Sequence, residues 1–218
     1  MNRLYIGSRR YSSWSLRGWL AVRLAGLEVE EILIRLRGGN TPEVKEISPS
    51  GLVPVLEHDG NRIWETLAIL EYCAELSPSI WPAERGARAL ARSISAEMHG
   101  GFRDLRIAMP MQIGAEHPGE GRTAESLANV ARIDQIWAEA LGQSGGPFLF
   151  GEFGGADAMF APVVMRFVIY RPELSAASAA YVERVAGHSL VCEWVAGALA
   201  EPEEWRLPRY EVFAPTTV

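Results

Sequence analysis

Hydroxyl and acidic side chains stand at the starts of two predicted helices, where an anion would be stabilised. Ser12, Ser13 and Ser15 surround the start of the first helix, and Glu65 and Thr66 begin a later one. The first turn of a helix leaves backbone N–H groups without partners and carries the positive end of the helix dipole. These side chains therefore suit two roles, which are capping the helix or holding an anionic ligand.

The elements that must position these residues follow the order β-α-β-α-β-β-α over residues 3–76. Residues 4–6 and 29–36 have strand patterns, and apolar residues at helical spacing fill 16–24 between them. This is a β-α-β unit, so we expect a parallel strand pair with a right-handed crossover. A short helix at 42–47 follows, and then a hairpin turning at Asp59-Gly60 and a helix over 65–76.

The rest of the chain has helical patterns and no convincing strand. Apolar stripes run through 90–109 and 127–141, residues 158–170 are apolar on nearly all sides, and 176–200 predicts one or two helices. The expected fold class is therefore α/β plus all-α. We expect an α/β domain over residues 1–77, a Pro-containing linker over 78–85 and an all-helical domain over 86–218.

Composition excludes several classes of function. The 218 residues include 21 Lys and Arg against 27 Asp and Glu, which gives a net charge of −6. A negative chain without a basic cluster is a poor partner for nucleic acid or anionic lipid. No segment has the apolar length of a signal peptide or a membrane span, so we expect a soluble, cytoplasmic protein.

Cysteine and histidine give no metal-binding pattern. Cys73 and Cys192 are far apart in apolar helical surroundings, so we expect two buried structural thiols and no disulfide. The four histidines form no paired arrangement, so we expect no metal site.

Four motifs together resemble the glutathione transferase superfamily. They are YSSWSLR at 11–17, GLVPVL at 51–56, WETLAI at 64–69 and FGEFGGADA at 150–158. The first is most similar to serine-type enzymes such as the zeta class. The resemblance implies a thioredoxin-like βαβαββα domain that holds glutathione as co-substrate, a helical-bundle domain that supplies most of the second-substrate pocket, and a homodimer.

The resemblance also implies roles for individual residues. Val53-Pro54 would be a cis peptide, with the Val53 backbone pairing with the cysteinyl part of glutathione. Glu65 would bind the γ-glutamyl amine, and Thr66 would bind its carboxylate through the hydroxyl and backbone N–H. The alternative for Glu65 and Thr66 is that they only begin a helix.

Ser12 matches the catalytic serine of the family, and Ser13 is the second candidate. A hydroxyl that donates to the glutathione sulfur favours the thiolate, which is the nucleophile. The alternative is that these serines only cap the first helix. Residues 12–15 contain no cysteine, which disfavours thiol–disulfide exchange by the protein itself.

Three residues depart from the family pattern. Leu52 replaces a lysine that pairs with the glycine carboxylate of glutathione in many relatives, and Arg35 or Arg37 are possible substitutes. Trp14 stands where zeta enzymes carry cysteine. Gly154 takes the place of the Ser or Thr that precedes Asp157 by three residues and caps the helix.

The resemblance implies that a glutathione thiolate attacks a small hydrophobic or acidic electrophile. Conjugation is the default outcome, and maleylacetoacetate-type isomerisation is a variant. Arg17 is a candidate for attracting glutathione or an acidic second substrate. His99 and Arg106 lie on a helical face that could border the pocket, without a catalytic role. A different class of function is a non-catalytic glutathione transferase-like binding or regulatory protein, which the changes at Leu52 and Trp14 favour.

Overall fold

A mixed four-stranded sheet forms the centre of the first domain. The computed structural model describes residues 1–39 and 41–208, and the last ten residues of the predicted helical domain lie outside this range. The strands are β1 (Arg3–Gly7), β2 (Glu30–Ile34), β3 (Val55–His58) and β4 (Asn61–Trp64), in the order β2-β1-β3-β4. β1 and β2 are parallel, whereas β3 runs antiparallel to β1 and β4. The predicted thioredoxin-like arrangement is confirmed.

Three helices complete this domain: α1 (Ser13–Leu24), α2 (Pro42–Ile47) and α3 (Thr66–Leu76). Leu4 and Ile6 alternate along β1 with no exposed surface, and Trp19 and Leu20 of α1 are equally buried. These apolar faces cause α1 to pack on the sheet.

Six helices follow in the described part of the second domain: α4 (Arg85–Gly100), α5 (Arg103–Ala108), α6 (Ala124–Ser144), α7 (Gly155–Tyr170), α8 (Ala176–Ala186) and α9 (Ser189–Leu199). The stripe expected along 90–109 is divided between α4 and α5. Gly101 ends α4, and Phe102 has a left-handed backbone with φ of 57°. The apolar spacing continues across this break, so periodicity did not reveal it.

Helix α7 is the central element of the helical domain. It is buried on nearly all sides, and Phe160 and Phe167 pack against Trp137 of α6. Among residues 1–39 and 41–208, no helix has both the length and the apolar character needed to cross a membrane.

The two cysteines differ in environment. Cys73 is buried, which raises the pKa of its thiol to about 12. Cys192 is exposed, so the expectation that both thiols are buried was wrong for this residue. Cys192 lies on the outer face of α9, whose buried residues Val191 and Trp194 face the protein.

The segment after α9 returns to the loop that precedes α1. The buried Glu201 carboxylate accepts hydrogen bonds from the backbone N–H groups of Arg9 and Arg10. Trp194 Nε1 donates to the Arg9 carbonyl at 3.1 Å, and the Leu207 N–H donates to the Tyr11 hydroxyl at 3.0 Å. The end of the helical domain therefore holds the loop that leads to Ser12.

Asp157 joins the start of α7 to its surroundings. Its buried carboxylate accepts hydrogen bonds from the N–H groups of Leu149 and Gly154 at 3.1 and 2.9 Å and from the Tyr181 hydroxyl at 2.8 Å. Burial raises the pKa of Asp157 to about 6, and these donors oppose the rise. Because Gly154 has no side chain, Asp157 alone supplies side-chain capping here.

We expect Asp157→Ala to lower the free energy of unfolding by about 3 kcal/mol at pH 7, because three buried donors lose their acceptor. Urea denaturation measures this change. Glu152→Ala, at an exposed site in the same loop, is the control and should change stability by less than about 0.5 kcal/mol. Equal stability of the Asp157 variant and the wild type would contradict the capping role.

Candidate functional site

A cavity of about 690 Å³ opens between the sheet domain and the helical domain. It collects the side chains and backbone that the sequence selected, which are Ser12, Ser13, Val53, Pro54, Glu65 and Thr66. The helical domain contributes His99, Arg106 and Arg166 to the opposite wall. Its volume suits a small-molecule ligand.

Ser12 is the N-cap of α1 and is 6% exposed. Its Oγ accepts the Ser15 N–H at 3.3 Å and donates to Ser15 Oγ at 2.8 Å. Ser15 Oγ in turn accepts the Gly7 N–H at 2.9 Å. Ser12 therefore caps α1, which is the alternative role expected for it. The bonds through Ser15 hold the end of β1 against the start of this helix.

Ser13 is the first residue of α1 and is 7% exposed. Its Oγ accepts a hydrogen bond of 3.4 Å from Nη2 of Arg166, a buried residue of α7. Among the described residues, no acceptor lies in hydrogen-bonding position for the Ser13 hydroxyl proton. The two serines thus differ: the Ser12 proton is directed to Ser15, and Ser13 lies beside a guanidinium.

The Val53-Pro54 peptide bond is cis, as expected. Pro54 packs against Gly18 in the middle of α1, where a Cβ on residue 18 would lie 2.6 Å from Pro54 Cγ. Only glycine allows this close approach. Gly18 therefore sets the distance between the Val53-Pro54 backbone and the serines at the start of the same helix.

Glu65 and Thr66 lie at the N-terminus of α3. Glu65 has φ of 73°, a left-handed conformation that non-glycine residues adopt at an energetic cost and that is common at functional sites. Thr66 is 1% exposed and begins the helix. His99 lies within 3.3 Å of both side chains, with Nε2 facing Glu65 Oε2 and Nδ1 facing Thr66 Oγ1.

Arg17 is a buried cation with little compensation. It is 1% exposed, and its Nε donates to the Met159 carbonyl at 2.8 Å, whereas Nη1 and Nη2 have no hydrogen-bond partner among the described residues. Burial lowers the pKa of Arg17 well below its usual range, and the charges of Arg166 and Arg106 lower it further.

Trp14 lies in the middle of these cations. The Arg17 guanidinium is 4.5 Å from the centre of the Trp14 ring, and the Arg106 guanidinium is 5.8 Å from it. The aromatic face partly stabilises both charges. Trp14 and Arg106 line the cavity, so positive potential from these two guanidinium groups reaches this wall and favours an anion.

Among the described residues, neither Arg35 nor Arg37 takes the place of the family's lysine at position 52. Leu52 is 59% exposed. Arg35 donates to the Glu204 carbonyl, and Arg37 pairs with Glu43 at 2.5 Å. Neither of the proposed substitutes lies among the described residues that line the cavity.

The sequence did not single out Arg166, and it gave His99 only a bordering position. Arg166 lies within the apolar run of α7. A charged residue in such a run could have been recognised in the sequence, because buried charged residues are rare and need partners. His99 belongs to the last turn of α4, and the end of this helix at Gly100 was not visible in the apolar spacing. The described residues contain no cluster of His, Cys, Asp and Glu that could hold a metal ion.

A thioredoxin-like domain joined to a helical domain, with a cavity between them, defines the class of protein. The glutathione S-transferase N-terminal domain family matches residues 11–76, and the glutathione S-transferase C-terminal domain family matches residues 120–206. The chain belongs to the glutathione transferase superfamily.

Curated relatives include several isomerases. Maleylacetoacetate isomerase of Rattus norvegicus is 29% identical over 180 residues, covering 79% of this chain and 81% of that protein. Maleylacetoacetate isomerase of Rhizobium meliloti (strain 1021) is 34% identical over 121 residues, covering 52% and 55%.

Solved structures share the fold over nearly the whole chain. A glutathione transferase homologue from Burkholderia with bound glutathione has a TM-score of 0.71 at 23% identity, covering 92% of this chain and 99% of that one. The theta class glutathione S-transferase of Xanthomonas axonopodis pv. citri, also with glutathione bound, has a TM-score of 0.65 at 25% identity, with coverages of 89% and 96%.

Proposed function

We propose that this protein binds glutathione and activates its thiol for attack on an electrophilic small molecule. The observation that carries the proposal is the convergence of six residues with complementary chemistry on one cavity: Ser12, Ser13, Val53, Pro54, Glu65 and Thr66. Relatives with bound glutathione support it, because they share this fold.

The cysteinyl and γ-glutamyl parts of glutathione each have a matching group in the cavity. The backbone of Val53 pairs with the cysteinyl unit, Glu65 binds the γ-glutamyl ammonium group, and Thr66 binds the γ-glutamyl carboxylate at the N-terminus of α3. This arrangement directs the sulfur to the start of α1, beside Ser12 and Ser13.

The serine end of the cavity stabilises the thiolate. A free thiol has a pKa of about 8.5, and lowering it by about two units requires about 2.7 kcal/mol of preferential thiolate stabilisation. A charge-assisted hydrogen bond from one serine and the positive end of α1 act together here. Arg166, which donates to Ser13 Oγ, adds a positive charge on the same side.

We expect ultraviolet absorbance of the thiolate when glutathione is titrated into the protein at pH values about two units below 8.5. Ser12→Ala and Ser13→Ala are matched variants of the two candidates. The variant that lacks the donor should raise the pKa of the bound thiol by about one unit, and the other should retain the wild-type value. Calorimetry on the same samples measures glutathione binding.

If neither serine variant changes the thiol pKa, the hydroxyl role is wrong. If calorimetry detects no glutathione binding by the wild type, the transferase proposal fails, and a non-catalytic binding or regulatory protein becomes the favoured class.

Maleylacetoacetate-type isomerisation of an acidic substrate is the second candidate function. Arg106 lines the cavity, and the Arg17 guanidinium lies 4.5 Å from the ring of Trp14, which also lines it. The positive potential of these two groups favours an anionic substrate. In this reaction the thiolate adds to the substrate, a bond rotates, and elimination releases the thiolate, so glutathione is not consumed. The similarity to maleylacetoacetate isomerases supports the same substrate class.

We expect a dicarboxylate such as maleate to raise the melting temperature of the wild type more than that of Arg106→Met, because this change removes a positive charge that lines the cavity. Differential scanning calorimetry measures both shifts. Arg85→Met, at an exposed position outside the cavity lining, is the control. Equal protection of the wild type and Arg106→Met would argue against an acidic substrate bound beside Arg106.

A homodimer is also part of the proposal. Trp64 on β4 and Leu76 on α3 are large apolar side chains that are 41% and 51% exposed on neighbouring elements. Burial of these two side chains against a second copy of the chain would remove apolar surface from water. Light scattering should give twice the chain mass of 24.0 kDa, and a mass equal to one chain would contradict the dimer.

A further inference from the structure

His99 connects the helical domain to the start of α3 in the other domain. It belongs to the last turn of α4, yet Nε2 lies 3.3 Å from Glu65 Oε2 and Nδ1 lies 3.3 Å from Thr66 Oγ1. The ring also packs edge to face on Trp14, with the ring centres 5.1 Å apart. Three contacts on three sides therefore fix the imidazole plane.

The two contacts favour one tautomer of the imidazole. A carboxylate only accepts hydrogen bonds, so we assign the proton to the Nε2 that faces Glu65. In a neutral imidazole Nδ1 is then an acceptor, and the Thr66 hydroxyl donates its single proton to it. The backbone N–H of Thr66 is the donor that stays available for the γ-glutamyl carboxylate. Burial lowers the pKa of His99, Glu65 opposes this, and Arg17 and Arg106 lower it further, which is consistent with the neutral form.

Glu65 needs such a partner to hold one conformation. Its side chain is 47% exposed, and it makes no capping hydrogen bond to α3. A free glutamate loses rotamer freedom when it captures a ligand, and that loss weakens binding. Contact with His99 restricts Glu65 before the ligand arrives.

We propose that His99 is a positioning residue for the γ-glutamyl end of glutathione, acting by holding Glu65 and Thr66 in the orientation that binds it. The inference rests on the proposed function, since it assumes that these two residues receive the γ-glutamyl group. His99 itself is not a catalytic residue, because it acts through Glu65 and Thr66.

The test compares glutathione with cysteinylglycine, the same thiol without the γ-glutamyl group. His99→Ala should lower kcat/KM for glutathione by about fivefold, mainly through KM, and should leave kcat/KM for cysteinylglycine unchanged. Ser93→Ala, at an exposed position on the same helix, is the control and should match the wild type with both thiols.

Conservative variants separate positioning from packing. His99→Gln returns an amide N–H that can reach Glu65, and His99→Asn returns a carbonyl acceptor for Thr66, so each should recover part of the glutathione KM. In the double variant Glu65→Gln with His99→Ala, the two effects on glutathione binding should be less than additive.

Two results would overturn the inference while leaving the proposed function intact. One is unchanged glutathione kinetics in His99→Ala, and the other is an equal loss with both thiols, which indicates a general structural role. Absence of glutathione binding by the wild type in calorimetry would instead refute the proposed function, and the inference with it.

Discussion

The hydrogen bond from Arg17 Nε to the Met159 carbonyl is the interaction on which the site depends. It joins α1, which carries the serines, to α7, the buried centre of the helical domain. Because both groups are buried, the bond is not weakened by competing water. The position of α1 relative to the second domain, and with it the width of the cavity, follows from this contact and from the packing around it.

Helix starts supply positive potential at both ends of the cavity. One end has the first turn of α1 with Ser13, and the other has the first turn of α3 with Thr66. Each end also receives a side chain from the helical domain, Arg166 at Ser13 and His99 at Thr66. The first domain therefore supplies the backbone donors, and the second supplies the groups that orient the hydroxyls.

Local patterns predicted most of the first domain. The hairpin around Asp59-Gly60 has strands Val55–His58 and Asn61–Trp64, because both turn residues adopt the positive φ that this short turn requires. The six predicted site residues reach one cavity for a similar reason: each lies at the start of an element whose position the topology sets.

Long-range contacts explain what the sequence did not reveal. The meeting of Arg166 with Ser13 joins residues 153 positions apart, and no local spacing encodes it. The break at Gly101 and Phe102 interrupts a stripe whose apolar period continues, so packing rather than periodicity decides where α4 ends. The exposure of Cys192 likewise depends on which face of α9 packs against the rest of the protein.

The bonds from Glu201 to the Arg9 and Arg10 amides have a consequence for synthesis on the ribosome. Their partners are 192 and 191 residues apart, so a nascent chain that has exposed only its first domain lacks this support for the loop before α1. Domains generally fold in the order in which they emerge. The sheet therefore forms early, and the cavity reaches its final shape only after Glu201 has been translated.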